Sequence, residues 1–226
     1  MKISELIDKT QQTAFSFELL PPLKGNSIGQ VFNTIDRLKE FDPKFINITT
    51  HHSENIYRED ESGVYRKTNV RKRPGSVAIA AAIQHRYGIR AVPHIISKGF
   101  SKEETEYALI DLSFLGVTDL LLLRGDTKKL DPQQRSMDSH DHATGLQEQV
   151  NNFNRGIAFD GSTFTPPETS FSYGMACYPE KHEESPNMES EINYTKMKAD
   201  NGADYLVTQM FFDNSKYFAF VERCRA

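Results

Sequence analysis

A chain of 226 residues is long enough to bury a substantial hydrophobic core, and we predict one domain over residues 1–226. A net charge of −4, without a basic stripe interleaved with aromatic residues, argues against a general nucleic-acid binder. No apolar run approaches the roughly 18 residues of a membrane span and no signal-peptide core opens the chain, so we expect a cytoplasmic protein without a membrane partner.

Repeated strand–helix units are the main predicted pattern. Stretches with helical spacing separate most of six short apolar runs, which lie at residues 14–19, 45–49, 90–94, 119–123, 172–177 and 205–208. Gly88, Gly116 and Gly202 each stand where a helix would stop and a strand begin, a position that suits left-handed backbone. The pattern is typical of an α/β fold of the (β/α)8 barrel type.

Helix starts and loops complete the predicted elements. Capping-box patterns at residues 27–30 and 101–104 predict two helix starts, and Ser76 is predicted to cap another helix. We expect a loop from Lys128 to His142, a helix over residues 145–153 and a long surface connection over residues 154–171. A basic cluster is interpreted as a solvated loop or as a phosphate contact: Arg66, Lys67, Arg71, Lys72 and Arg73.

Each apolar run is followed or ended by a polar side chain that could carry chemistry. These residues are Glu18, Thr49, His94, Arg124 with Asp126, Tyr178 and Gln209. The carboxyl ends of all strands of a parallel barrel meet on one face, where such barrels do chemistry, so we expect these groups to converge. The structural alternative is that polar residues end strands simply because loops begin there.

Glu18 is the first candidate catalytic group, since it is a lone carboxylate between aromatic and apolar residues. Desolvation there would raise its pKa, and a glutamate kept protonated near neutral pH can act as a general acid. The alternative is a glutamate that reaches solvent at the mouth of a strand.

Charged residues directly follow the most apolar run, in the order Arg124, Gly125 and Asp126. Charges so close to a core strand indicate a specific site, whereas the alternative is an ion pair between Arg124 and Asp126 that closes the turn. Tyr178 and Gln209 lie beside further aromatic residues, a mixture that suits a flat heteroaromatic ligand.

Several kinds of cofactor site are not favoured. The histidines lack a third ligand at clear spacing, so we predict no metal. Cys177 and Cys224 show no redox spacing and are predicted to be reduced. Neither a GxGxxG sequence nor a Walker loop occurs, so a nucleotide cofactor would need another binding geometry.

The order and spacing of the motifs resemble the methylenetetrahydrofolate reductase family from about Phe15 to the last residue. The matching motifs are Phe17-Glu18-x-x-Pro21-Pro22, Pro43-Lys44-Phe45 before Thr49, Pro93-His94, Leu123-Arg124-Gly125-Asp126, Tyr178-Pro179-Glu180-x-His182 and Thr208-Gln209-x-Phe211-Phe212-Asp213. The resemblance implies a (β/α)8 barrel that binds FAD and reduces 5,10-methylenetetrahydrofolate to 5-methyltetrahydrofolate, a step that feeds methionine synthesis. NADH or NADPH would supply the hydride in a ping-pong cycle, and family members are often homo-oligomers.

The resemblance also implies roles by position. Glu18 looks like the general acid for folate N10, Asp126 like the carboxylate beside the pterin and the flavin, and Gln209 like a pterin contact. The positions that match FAD-binding residues are Thr49, His94, Arg124, Gly125, Asp126, His142, Ala143, Tyr178, His182 and Lys198. Lys198 would meet the diphosphate.

Two departures accompany the match. Where the family usually has a tyrosine-alanine pair with a following aspartate near the adenosine, this chain has His142, Ala143 and Thr144. About six strand–helix units are counted instead of eight, so we expect a C-terminally incomplete chain, and a non-catalytic folate- or flavin-binding remnant is the alternative to a reductase. A flavin-free barrel aldolase or lyase is not favoured, because no lysine stands at a strand end.

Overall fold

A parallel six-stranded sheet forms the centre of the computed structural model, which describes residues 2–9, 13–126 and 138–226. Its strands, in spatial order, are β1 (Ser16–Leu19), β2 (Phe45–Ile48), β5 (Arg90–Ile96), β6 (Asp119–Leu123), β7 (Ser172–Cys177) and β8 (Tyr205–Thr208). Strands that are neighbours along the chain are therefore neighbours in the sheet, apart from the separate hairpin of β3 (Glu54–Glu59) and β4 (Tyr65–Val70). This is the strand order of the predicted (β/α)8 barrel type, with six successive units present.

Helices follow each of the six strands of the sheet, although the hairpin stands between β2 and its helix. The helices are α1 (Ile3–Lys9), α2 (Gly29–Leu38), α3 (Ser76–Tyr87), α4 (Lys102–Phe114), α5 (Ala143–Asn154), α6 (Met188–Asp200) and α7 (Asn214–Arg225), with a 3-10 turn at Lys39–Phe41. Among the described residues, none of the helices combines the length and apolar character needed to cross a membrane.

Two apolar clusters pack against the sheet. The larger contains side chains from the strands and from α2 to α5, such as Ile46, Ile83 and Leu112. The smaller contains Ile3, Phe45, Val92 and Leu121. Neighbouring residues in a strand point to opposite faces, so Phe45 and Ile46 belong to different clusters and the sheet is covered on both sides.

The predicted helix ends are partly confirmed. Ser101 accepts a hydrogen bond from the Glu104 backbone and completes the predicted capping box. The box at residues 27–30 was wrong, because α2 begins at Gly29 without a side-chain cap. Ser76 was also a wrong cap, because Gly75 occupies that position and the Ser76 hydroxyl instead donates to the His94 carbonyl.

Glycine conformations at the helix-to-strand joins agree with the sequence. Gly88, Gly116 and Gly202 have φ values of 66°, 67° and 105°, in the left-handed region where glycine avoids the steric cost of a Cβ atom. The predicted helix over residues 145–153 is present as α5, whereas residues 128–137 of the predicted preceding loop lie outside the described residues. In the predicted connection over residues 154–171, the pairing of Ile157 with Thr163 is an isolated bridge.

The β3–β4 hairpin corrects the loop interpretation for only part of the basic cluster, because Arg71, Lys72 and Arg73 do lie in a loop between β4 and α3. Arg66 and Lys67 lie within β4, and Arg66 pairs with Asp60 at 2.6 Å. Lys72 pairs with Glu54 at the base of the hairpin. The strands escaped prediction because their side chains are mostly exposed and do not alternate between apolar and polar.

Gly174 in β7 offers a test of how tightly the strands pack. A Cβ atom there would lie 2.3 Å from the ring of Tyr205, whose hydroxyl donates to the Leu120 carbonyl at 3.2 Å. The ring is thus held in place, and we expect Gly174→Ala to lower the free energy of unfolding by about 1–3 kcal/mol. Urea unfolding measures this loss. In the double variant with Tyr205→Leu the clashing ring is absent, so the loss of stability should be clearly smaller than the sum of the losses in the two single variants. A loss equal to that sum would contradict the steric explanation.

Candidate functional site

A cavity of about 730 Å³ opens at the carboxyl ends of the six strands. Its walls include all of the predicted site residues except Asp126, namely Glu18, Thr49, His94, Arg124, Gly125, His142, Ala143, Tyr178, His182, Lys198 and Gln209. Every strand of the sheet, or the residue that follows it, contributes to this set. Asp126 is exposed and lies in the loop just beyond Gly125. The expected convergence is therefore present, with Asp126 beside the cavity and outside its wall.

Glu18 lies in the wall of the cavity but is not desolvated as the sequence suggested. Its side chain is 61% exposed, and its Oε2 atom lies 3.8 Å from Nε2 of His94. The aromatic neighbour Phe17 packs edge-on against Phe41, on the opposite side of the strand. The apolar flanks therefore do not cover the carboxylate, and Glu18 is instead a glutamate at a solvent-accessible strand mouth, which was the alternative.

His94 is a buried histidine inside β5 and not at its end, because that strand continues to Ile96. Its carbonyl accepts hydrogen bonds from the hydroxyls of Thr50 and Ser76. Burial, with a smaller contribution from the nearby His51, lowers the pKa of His94 to about 4. Its Nε2 atom has no hydrogen-bond partner among the described residues. A neutral imidazole with an unused nitrogen is thus available in the cavity wall.

The depressed pKa of His94 predicts a specific pH dependence of stability. The unfolded value is about 6.5, so the unfolded chain binds a proton more readily, and the stability linked to neutral His94 is fully present above pH 6.5 and lost as pH falls toward 4. We expect a loss of about 3 kcal/mol over that range. Urea unfolding of the wild type and of His94→Asn at several pH values measures it. Equal pH slopes in the two proteins would contradict the prediction.

The segment after β7 is held by several of its own polar groups. Lys181 has a left-handed backbone, with φ at 73°, and its ammonium donates to the carbonyls of His182 and Ser185. The buried carboxylate of Glu191 accepts from the His182 backbone at 3.1 Å and from the Ser185 hydroxyl at 2.6 Å. These contacts fix the backbone at His182, and the centroid of its ring lies 4.7 Å from that of Tyr178. Burial raises the pKa of the Tyr178 hydroxyl.

Two cations lie in the wall of the cavity. Arg124 makes two hydrogen bonds to the carboxylate of Glu184, a partner that the sequence did not predict. Lys198 donates to the Ala176 carbonyl at 2.7 Å, and burial lowers the pKa of its ammonium although Glu191 acts in the opposite direction. Both cations are thus fixed in position at the cavity wall.

The chemistry of the cavity fits a large, flat and anionic cofactor such as FAD. Its volume lies within the roughly 300–1,000 Å³ of typical ligand sites. Apolar side chains in its wall include Leu121, Leu123 and Val207, which could cover a ring system, while Arg124 and Lys198 provide positive charge for phosphate groups. The unpartnered Nε2 of His94 needs a hydrogen-bonding group from a ligand or from water. Among the described residues, no cluster of three or more histidine, cysteine or acidic side chains could hold a metal ion.

Comparison with known proteins gives a consistent family match. The family model described as methylenetetrahydrofolate reductase matches residues 2–226. A protein named probable methylenetetrahydrofolate reductase (NADPH) from Caenorhabditis elegans is 28% identical, over 99% of this chain and 30% of its own length. The 5,10-methylenetetrahydrofolate reductase of Escherichia coli strain K12 is 28% identical, over 94% of this chain and 60% of its own length.

The chain therefore spans between about a third and three fifths of the curated relatives that it matches. Methylenetetrahydrofolate reductase (NADH) 1 of Arabidopsis thaliana is 27% identical, over 95% of this chain and 33% of its own length. Among solved structures, an uncharacterized protein from Clostridium thermocellum, described as binding two copies of 5-methyl-5,6,7,8-tetrahydrofolic acid, has a TM-score of 0.48 and 12% identity. That likeness covers 98% of this chain and 62% of the other.

Proposed function

The chain belongs to the methylenetetrahydrofolate reductase family, and from that premise we propose that the whole protein reduces 5,10-methylenetetrahydrofolate to 5-methyltetrahydrofolate. The observation that carries the proposal is the convergence, on one cavity, of polar groups from all six strands of the sheet. The product would feed methionine synthesis. Relatives named for NADPH and for NADH match with similar identity, so the proposal includes either donor.

FAD is the proposed cofactor, and when bound it would take hydride from the nicotinamide donor and deliver it to the folate after the donor has left. Arg124 and Lys198 would hold the negatively charged part of the cofactor. The unused nitrogen of His94 and the hydroxyl of Thr49 are hydrogen-bonding groups for its polar edges. Because one cavity would receive donor and folate in turn, a ping-pong order follows.

Glu18 would supply the proton for the folate. Protonation at N10 opens the five-membered ring of methylenetetrahydrofolate and gives the cationic iminium that accepts hydride. Ligands that fill the cavity would exclude water from around Glu18, so that the proton is exchanged with the folate and not with solvent. Asp126, just outside the wall, would stabilise the positive charge of the iminium, and Gln209 would hydrogen-bond the pterin.

The visible absorption spectrum of the purified protein tests the proposal. We would record it for these 226 residues and for the complete product of the gene, then add NADH without oxygen and finally methylenetetrahydrofolate. An oxidised-flavin spectrum that bleaches with NADH and recovers with the folate is the expected result. The resemblance also predicts a homo-oligomer, which the molar mass in solution would check.

Other spectral outcomes separate the alternatives. A folded, colourless complete protein that does not bind added FAD would overturn the flavin proposal. Folate binding by that same protein would favour a non-catalytic folate-binding module. Colour in the complete product alone would show that residues outside these 226 complete the cofactor site.

A further inference from the structure

An ion pair between Arg124 and Glu184 joins the end of β6 to the segment after β7 at the cavity wall. The Nη2 atom of Arg124 lies 2.9 Å from Oε1 of Glu184, and Nη1 lies 2.5 Å from Oε2. Both residues line the cavity. Two parallel hydrogen bonds fix the plane of a guanidinium as well as its position. Glu184 therefore determines how Arg124 is presented to a ligand.

Glu184 itself is held by its neighbours. Its backbone N–H donates to Nδ1 of His182 at 3.1 Å, while the adjoining Ser185 is tied to the buried Glu191. In the neutral ring, Nδ1 is then the acceptor, so the proton lies on Nε2. Glu184 thus connects two predicted cofactor-binding residues, Arg124 through its carboxylate and His182 through its backbone.

The charges around the pair favour this arrangement. The hydrogen bond to Glu184 raises the pKa of Arg124, to which Tyr178 and Glu183 add smaller contributions. Arg124 in turn lowers the pKa of Glu184, with smaller contributions from His182 and His142. An arginine has five N–H donors, and the pair uses two of them. Three donors remain, so Glu184 can hold Arg124 without preventing it from binding an anionic or carbonyl-bearing ligand.

We propose that Glu184 is a positioning residue that holds the Arg124 guanidinium in its ligand-binding orientation. Only the identity of the ligand, FAD, rests on the proposed function. An ordinary surface ion pair contributes little, but this one has a cavity on one side and a braced segment on the other. We expect loss of this ion pair to weaken ligand binding more than it lowers the free energy of unfolding.

A double-mutant cycle on FAD affinity tests whether Glu184 acts through Arg124. We would measure the dissociation constant of FAD from flavin fluorescence for the complete protein, Glu184→Gln, Arg124→Ala and the double variant. We expect Glu184→Gln alone to weaken binding about tenfold, and to weaken it by less than about twofold once Arg124 is absent. Glu189→Gln, the same chemical change at an exposed residue in the first turn of α6, is the matched control.

A ligand-free measurement keeps this inference separate from the proposed function. Nitrogen-15 NMR should show slow rotation of one guanidinium, assigned to Arg124 by its absence in Arg124→Lys, and the slow rotation should be lost in Glu184→Gln. The inference would be overturned if Glu184→Gln weakened FAD binding equally in the presence and absence of Arg124. It would also be overturned if the NMR signal of Arg124 were unchanged in Glu184→Gln. A wild type that shows the restrained guanidinium but binds no FAD would overturn the flavin proposal and leave the positioning of Arg124 supported.

Discussion

Replacing Glu18 with glutamine should slow folate reduction by at least about 100-fold while leaving the reaction with the nicotinamide donor intact. Glutamine has nearly the same shape but no proton to give, and loss of a positioned general acid typically slows a reaction by about 10²–10⁴-fold. Glu18 lines the cavity next to the neutral His94, and among the described residues its carboxylate makes no ion pair with a lysine or an arginine. The cavity should therefore keep its shape in the variant.

Separate half-reactions measured without oxygen provide the test. Stopped-flow absorbance follows bleaching of the flavin by NADH and then its recovery with methylenetetrahydrofolate. We expect near-wild-type bleaching and a recovery slowed by at least about 100-fold. Glu40→Gln, at an exposed residue of the 3-10 turn, controls for the change in charge. Equal loss of both half-reactions would remove Glu18 from the role of acid and suggest a general effect on cofactor binding.

The sheet could be predicted because its strands carry their own signal. The runs at residues 119–123 and 172–177 coincide with β6 and β7, since buried parallel strands are short and mainly apolar. The run at residues 205–208 coincides with β8, the edge strand, although its side chains are partly or fully exposed. Gly88, Gly116 and Gly202 marked three of the helix-to-strand joins. Once the strand order is that of a barrel, convergence of the strand ends follows from topology, which is why most of the predicted residues line the cavity.

The partners of the site residues could not be predicted from the sequence. Glu184 meets Arg124 across 60 residues, and an exposed acidic stretch offers no signal that one of its members turns toward the cavity. Glu191 was missed because a buried carboxylate in a helix resembles any other polar helix residue. The sequence offered a pair between Arg124 and Asp126 only as the alternative to a specific site, and it gave no sign of the pair between Arg124 and Glu184.

The exposure of Glu18 also depends on tertiary packing that the local sequence does not reveal. Apolar neighbours in sequence suggested desolvation, but alternate residues of a strand face opposite sides, so Phe17 covers the helix side and leaves the carboxylate uncovered. Only groups that face the cavity could desolvate Glu18, and these come from other strands or from ligands. A prediction of protonation state therefore requires the tertiary structure as well as the sequence.

Loss of the Asp119 carboxylate should be the most destabilising single change at the amino end of the sheet. Asp119 begins β6, its side chain is 2% exposed, and it pairs with Arg90 of β5. Its other oxygen accepts the backbone N–H of Ile3, which places α1 against the smaller apolar cluster. Asp119→Ala would leave a partly buried guanidinium and a buried N–H without their acceptor. We expect the free energy of unfolding to fall by about 3 kcal/mol.

Urea unfolding at neutral pH, followed by circular dichroism, measures this loss as a shift in midpoint with little change in slope. Asp119→Asn retains an oxygen for the Ile3 N–H while removing the charge, so it should be destabilised less than Asp119→Ala. Asp36→Ala, which removes an exposed ion pair with Lys39, is the control and should leave the midpoint nearly unchanged. If Asp119→Ala were as stable as this control, α1 and the Arg90 pair would contribute nothing to closing the amino end of the sheet.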